Sequence, residues 1–147
     1  MAALLIGYAG NDHVSVEPTQ REWPDSPDYW DGNWVYAEVR VRAGGFRGAY
    51  RAQLRTDEFA RFRVGLSSLY ERLTGEATLD SMEEWLRLQL VGDGKGHVSV
   101  SGEAVDTPGT GNRLTFEFDI DQTDLPRILA ELDGILTEYP VVGTPPT

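Results

Sequence analysis

The sequence predicts an α+β fold: a curved, mainly antiparallel sheet of about seven strands, with two amphipathic helices packed on one face, in the order β-β-β-β-α-(β)-β-β-β-α. Three observations predict it. Apolar and polar residues alternate with period two over 33–42, 46–54, 97–105 and 113–121, so each strand has only one apolar face. Two stripes of helical period, Phe59 to Leu73 and Leu125 to Tyr139, each follow a run of strands. The connections are rich in Gly, Asn and Asp, as hairpins require. One-sided strands argue against a parallel sheet buried on both faces, and so against a doubly wound nucleotide-binding fold.

In order, residues 3–8 and 12–18 read as a short hairpin, with Val14 and Val16 alternating and Ala9-Gly10-Asn11-Asp12 turning. Residues 19–32 keep neither period, are interrupted by Pro24 and Pro27, and read as a loop. The loop carries Glu22, Asp25, Asp28 and Asp31 beside Trp23, Tyr29 and Trp30. Three aromatics in one loop predict a lid folded over one end of the core.

In 33–42, Val35, Ala37, Val39 and Val41 share one face, with Trp34, Tyr36, Glu38, Arg40 and Arg42 on the other. Gly44-Gly45 closes a hairpin into 46–54, where Phe46, Gly48, Tyr50, Ala52 and Leu54 face in and Arg47, Ala49, Arg51 and Gln53 face out. Thr56 is the expected N-cap of the first helix and Gly75 its C-cap.

Residues 76–80 suggest a short strand, and 84–91 a longer one with Trp85, Arg87 and Gln89 outward. The strand 97–105 follows a glycine turn, and 113–121 follows the turn 106–112. The last helix is expected to start near Thr123, with Pro126 in its first turn and Pro140 ending it. Both halves take a strand into a Thr-capped helix, a similarity of construction. A single domain over 1–147 is expected, with the N-terminal hairpin in 1–20, the acidic and aromatic loop in 21–32, the core in 33–140 and a flexible tail in 141–147.

Composition narrows the chemistry. There is no cysteine, which excludes disulfides and thiolate metal sites and favours a reducing compartment. The N-terminus lacks a basic region and a long apolar run, so a cytoplasmic protein without a membrane span is expected. A net charge of -11 repels nucleic acid and anionic membranes and attracts basic partners; it also suits simple solubility.

No motif points to catalysis. His13 and His97 are the only histidines, and Ser99 and Ser101 lie along the strand from His97 without an oxyanion-hole turn. Asp12, His13 and Glu17 fit a solvated turn better than a metal site, and no metal or cofactor is expected. Gly92 to Gly96 resembles a phosphate loop but runs into a strand, not a helix. Glu117, Asp119 and Asp121, and Asp80, Glu83 and Glu84, read as solvated charges.

The outer sheet face is more informative. Trp34, Tyr36, Arg40, Arg42, Arg51, Trp85, Arg87 and Arg113 are expected on it, with Arg47. Aromatics interleaved with arginines on an open sheet suit RNA or small ligands, whereas Glu38, Glu103, Glu117 and Asp119 on the same face suit cross-strand ion pairs. The net charge favours the ion pairs.

The runs Asp31-Gly32-Asn33-Trp34, Val39 to Gly48, Leu54 to Phe62 and Leu69 to Ala77 carry a family resemblance. So do Gly92 to Val98, Pro108 to Leu114 and Leu125-Pro126 to Pro140-Val141. Together they resemble the WapI-type immunity protein family of bacterial polymorphic toxin systems. The resemblance covers the chain from about Asp31 onward and is looser over the N-terminal hairpin. It departs from the family at Asp124, where an aromatic is more usual.

The resemblance implies a non-enzymatic immunity protein that binds a cognate toxin domain and occludes its active site. It assigns no residue a role. An acidic partner suits the basic surface of a toxin that attacks nucleic acid. The expected contact is the loop of Glu22, Trp23, Asp25, Asp28, Tyr29, Trp30 and Asp31, although the same aromatics suit a cap on the core.

Overall fold

The computed structural model describes residues 2–146. The expected element order holds, with eight strands and one further helical turn: β1 Leu4–Gly7, β2 His13–Arg21, α1 Tyr29–Gly32, β3 Trp34–Ala43, β4 Phe46–Arg55, α2 Thr56–Arg72, β5 Thr74–Asp80, β6 Leu86–Asp93, β7 His97–Val105, β8 Arg113–Asp121 and α3 Leu125–Glu138. All strand pairs are antiparallel, as expected. The strands divide into two four-stranded sheets, β1-β2-β3-β4 and β5-β6-β7-β8. Each sheet leads into one long helix, so the similar construction of the two halves extends to their topology.

The alternation buries Val35, Ala37, Val39 and Val41 of β3 and Leu86, Leu88 and Leu90 of β6. These side chains join Phe59, Phe62 and Leu66 of α2 and Ile128, Leu132 and Ile135 of α3 in one continuous core. Gly44 supplies the positive φ of 58° that the two-residue turn between β3 and β4 needs.

Several local expectations are corrected. Thr19 to Arg21 continue β2 past a bulge between Pro18 and Gln20, because Gln20 and Arg21 still pair with Tyr36 and Val35. Residues 29–32 form one helical turn, capped by the Asp28 carboxylate accepting from the N–H groups of Trp30 and Asp31. Arg55, not Thr56, is the N-cap of α2, and Thr56 is already helical, its hydroxyl donating to Asn33 Oδ1.

At the other end of α2, Leu73 takes the left-handed conformation at φ 63°, because the chain turns at once into β5; Gly75 lies in that strand. A 3₁₀ turn, Gln122–Asp124, capped by Asp121, precedes α3, so the helix starts at Leu125, near the expected place, with Asp124 and not Thr123 at its N-cap. Phe46 is 69% exposed at the hairpin tip, where no opposing layer covers it.

Candidate partner-binding surface

The segment Glu22 to Asp31 is held to the molecule through Arg55. Arg55 follows Arg47, Ala49, Arg51 and Gln53 on the outer face of β4 and pairs with Trp34 across β3. It is nevertheless completely buried. Its Nε donates to Asp57 Oδ1 at 2.9 Å, and its two terminal nitrogens donate to the carbonyls of Trp30 and Tyr29. Its guanidinium carbon lies 5.2, 5.2 and 5.0 Å from the ring centroids of Tyr29, Trp30 and Trp34. A planar cation with five donors suits this site: it spans two carbonyls and one carboxylate while its faces meet aromatic rings.

Two further residues latch the same segment. Asn33, fully buried, donates to the carbonyls of Tyr29 and Val142 and accepts from Thr56 and from Val142 N–H. Its amide is thereby saturated. Arg21 donates to the carbonyls of Gly32 and Pro140. Chain close packing accompanies these bonds: a Cβ on Gly32 would meet Val142 Cγ2 at 2.5 Å and the Ser26 carbonyl at 2.6 Å. The C-terminal residues near Val142 are therefore tied to the acidic segment.

This scaffold presents Trp23, 54% exposed, and Trp30, 48% exposed, with Asp25, Asp28 and Asp31 also exposed around them. Glu22 is half-buried and accepts from Gln53 Nε2, and Tyr29 is half-buried with its hydroxyl donating to Asp57. All seven residues named for this loop thus lie in one latched segment. Trp30 does both things expected of it: its carbonyl and ring engage Arg55, and half of it faces solvent.

The residues expected on one outer sheet face are divided. Trp34, Tyr36, Arg40, Arg42 and Arg51 share the outer face of the first sheet, where the Arg51 guanidinium lies 4.0 Å from the Tyr36 ring centroid. Arg87 belongs to the second sheet, in a loose 3.9 Å ion pair with Asp80, and Arg113 there is bonded to Glu103. Trp85 is a correction. It precedes β6 and packs against the core, stacked 6.3 Å from Tyr50, whose hydroxyl donates to the Trp85 carbonyl. The strand starts at Leu86, two residues later than its alternation suggests, so Trp85 escapes the outward register.

Among the described residues, no group of three or more His, Asp or Glu is placed to hold a metal. His97 and Ser99 face the same way two residues apart, about 7 Å along a strand and beyond hydrogen-bond reach. Asp12 and Asp119 share a surface depression, but Asp12 accepts from Gly44 N–H, joining the β1–β2 turn to the β3–β4 turn. A cleft of about 230 Å³ between β4 and the second sheet is lined by Phe46, Tyr50, Leu114, Arg47, Arg113 and Asp106 among others.

Glu58 is the one buried acid raised well above its ordinary range. Desolvation pushes it up to about 7, although it accepts from the N–H groups of Arg55 and Met82. It sits beside Arg55 at the start of α2 and away from solvent, which fits a structural clamp.

Arg55 and Asn33 were outside the residues singled out from the sequence. The signal for Arg55 was present: an arginine continuing the outward register of β4 at the point where the sheet ends and an aromatic loop must fold back.

Comparison with known proteins places these features in context. No curated protein matches the chain. Among solved structures, a chain of the "CdiA-CT/CdiI toxin and immunity complex" from Enterobacter cloacae is similar at 12% identity and a TM-score of 0.43, over 91% of this chain and 99% of that one. A chain of the Trypanosoma brucei MRP1/MRP2 structures is similar at 9% identity and a TM-score of 0.43, over 93% of this chain and 85% of that one. Residues 5–140, from the middle of β1 to beyond α3, match the immunity protein WapI-like family, and the chain belongs to that family.

Proposed function

We propose that this protein neutralises a cognate toxin domain by binding it directly, without catalysis, and that Glu22 to Asp31 forms the centre of the contact. One observation carries the placement. Two half-exposed tryptophans stand among exposed carboxylates on a backbone latched by buried Arg55. Rigid aromatic anchors ringed by polar groups are the usual source of interface affinity, and pre-organisation lowers the entropy lost on binding. The acids add steering toward a basic partner. Membership of the immunity family supports the partner class.

The test is co-purification with a toxin domain from a gene adjacent to this one, where sequencing of the locus finds it, and rescue of cells from that toxin. Trp23→Ala with Trp30→Ala is expected to weaken binding by at least about thirtyfold, equivalent to roughly 2 kcal/mol, and to abolish rescue. Full affinity in a folded double variant would remove this surface from the interface.

A second reading, a module for small ligands or nucleic acid, draws support from the Arg51–Tyr36 stack and from Arg40 and Arg47, which form no ion pair among the described residues. The net charge of -11 opposes its nucleic-acid form.

A further inference from the structure

The acidic segment and the arginines of the first sheet lie on one continuous face. Gln53 on the outer side of β4 bonds Glu22 of the segment, and Arg55, last on that side, carries Tyr29 and Trp30. From there the register runs through Tyr36 with Gln53, Glu38 with Arg51, and Arg40 with Ala49, to Arg42 with Arg47. The face is acidic and aromatic at one end and basic at the other.

The basic end is a local cluster in an otherwise acidic chain. His13, Arg42 and Arg47 stand directly opposite one another on three adjacent strands, with Arg40 one pair further along the same side. Like charges placed opposite across a sheet repel. Acids outnumber cations 24 to 13, so carboxylate partners are plentiful. Yet Arg40 and Arg47, both exposed, have no hydrogen bond or ion pair among the described residues, and Arg42 donates only to the Gly10 carbonyl. Of the twelve arginines, Arg55, Arg61, Arg63, Arg87, Arg113 and Arg127 have carboxylate partners, Arg21 and Arg42 donate to backbone carbonyls and Arg51 stacks on Tyr36, so Arg40, Arg47 and Arg72 are left without a side-chain partner among the described residues, two of the three at this end of the face.

We infer that the whole outer face of the first sheet is the docking surface for the toxin domain, and that the toxin presents a polarised counterpart, basic against Glu22–Asp31 and acidic against the β3–β4 hairpin. This rests on the immunity reading above. Size bears on it. Strands β2, β3 and β4, nine or ten residues each, run about 30 Å, and the two spacings between them add about 10 Å, giving on the order of 300 Å² before the four-residue β1 is added. A stable complex buries about 800 Å² per partner, so the sheet alone falls short and the adjoining segment Glu22–Asp31 would have to add to it. A polymer of nucleic acid fits less well, since it would extend from the basic end onto the acidic one.

The experiment uses the full chain and the toxin domain that co-purifies with it or whose toxicity it rescues, with association and dissociation measured across a salt series. Asp25→Lys with Asp31→Lys, and Arg40→Glu with Arg47→Glu, change exposed side chains that have no partners, and circular dichroism checks their folding. Each pair is expected to weaken toxin binding at least tenfold and to flatten its salt dependence. The ends lie far enough apart for the effects to multiply when combined.

Loss from the aspartate pair alone, with the arginine pair within twofold of the parent, overturns the inference and leaves the immunity reading standing. Absence of toxin binding by the parent chain overturns both. Oligonucleotide binding at low salt that disappears in the arginine pair, with toxin binding intact, also overturns the inference.

Discussion

Arg55 shows how one side chain converts a loop into a surface. Its donors are all directed into the fold, two of them to carbonyls of a segment that has no other strand or long helix to hold it. Arg55→Met removes those donors while keeping much of the volume, leaving buried carbonyls unsatisfied and Asp57 short of one partner. A loss of about 3 kcal/mol or more is expected in urea denaturation, because removing one member of a buried ion pair strands the other. Arg55→Lys is expected to recover only part of it, since an ammonium cannot span the same three acceptors.

Glu58, buried beside Arg55 at the start of α2, is an acid. Its folded pKa of about 7 lies above the unfolded carboxyl value, so the folded state holds the extra proton between the two. Stability from this site is therefore greatest below about pH 4.5, falls as pH rises toward 7, and is level above that, a difference of up to about 3 kcal/mol. Glu58→Gln cannot ionise and is expected to flatten the wild-type decline between pH 5 and 8, measured by denaturation at each pH. A wild-type curve with no decline attributable to Glu58 would refute the assignment.

At the scale of elements, the sheets are specified by what lies against their edges and faces. The free edge of β1 is occupied by α3: Glu131 accepts from Leu5 N–H, and Arg127 donates to the carbonyls of Leu5 and Gly7. Those bonds satisfy backbone groups that an open edge would offer to another chain. In the second sheet, Gly102 on β7 admits the ring of Phe116 from β8, and a Cβ there would approach the ring at 2.3 Å and Leu88 Cδ2 at 2.9 Å. Gly102→Ala is expected to destabilise by about 1–3 kcal/mol through overpacking, read as a lower midpoint in chemical denaturation. The strand conformation itself accepts alanine, so the cost tests the packing and not the backbone.

At the scale of the molecule, the two halves repeat one plan but do not form two cores. Leu4 and Val39 of the first sheet, Leu88 and Ile120 of the second, and both long helices belong to one buried cluster. A single cooperative unfolding transition is therefore expected. Tryptophan fluorescence, which samples Trp23, Trp30 and Trp34 in the first half and Trp85 in the second, should coincide with the far-ultraviolet dichroism curve. Separate transitions would mean that the halves are independent. No helix among the described residues is long and apolar enough to cross a membrane.

Much of this was legible in the chain. Period-two alternation gave the strands and their inward sets, as Val35, Ala37, Val39 and Val41 show, and the helical stripes gave α2 and α3. Those are local properties, because burial on one side imprints the period of the backbone on the sequence. The turn and cap residues also carried the family resemblance. The division into two sheets was not legible, since alternation records that a face is buried but not which strand lies beside it.

The status of Arg55, Asn33 and Trp85 likewise depended on tertiary structure. An outward register predicts exposure only where nothing folds back over the sheet, and a loop of period-free sequence does not declare its anchor. The sequence by itself determined the elements, their order and their inward faces. Only the tertiary structure decided that the acidic aromatic segment is latched onto the first sheet, making one polarised face, because the buried bonds of Arg55 and Asn33 join residues from distant parts of the chain.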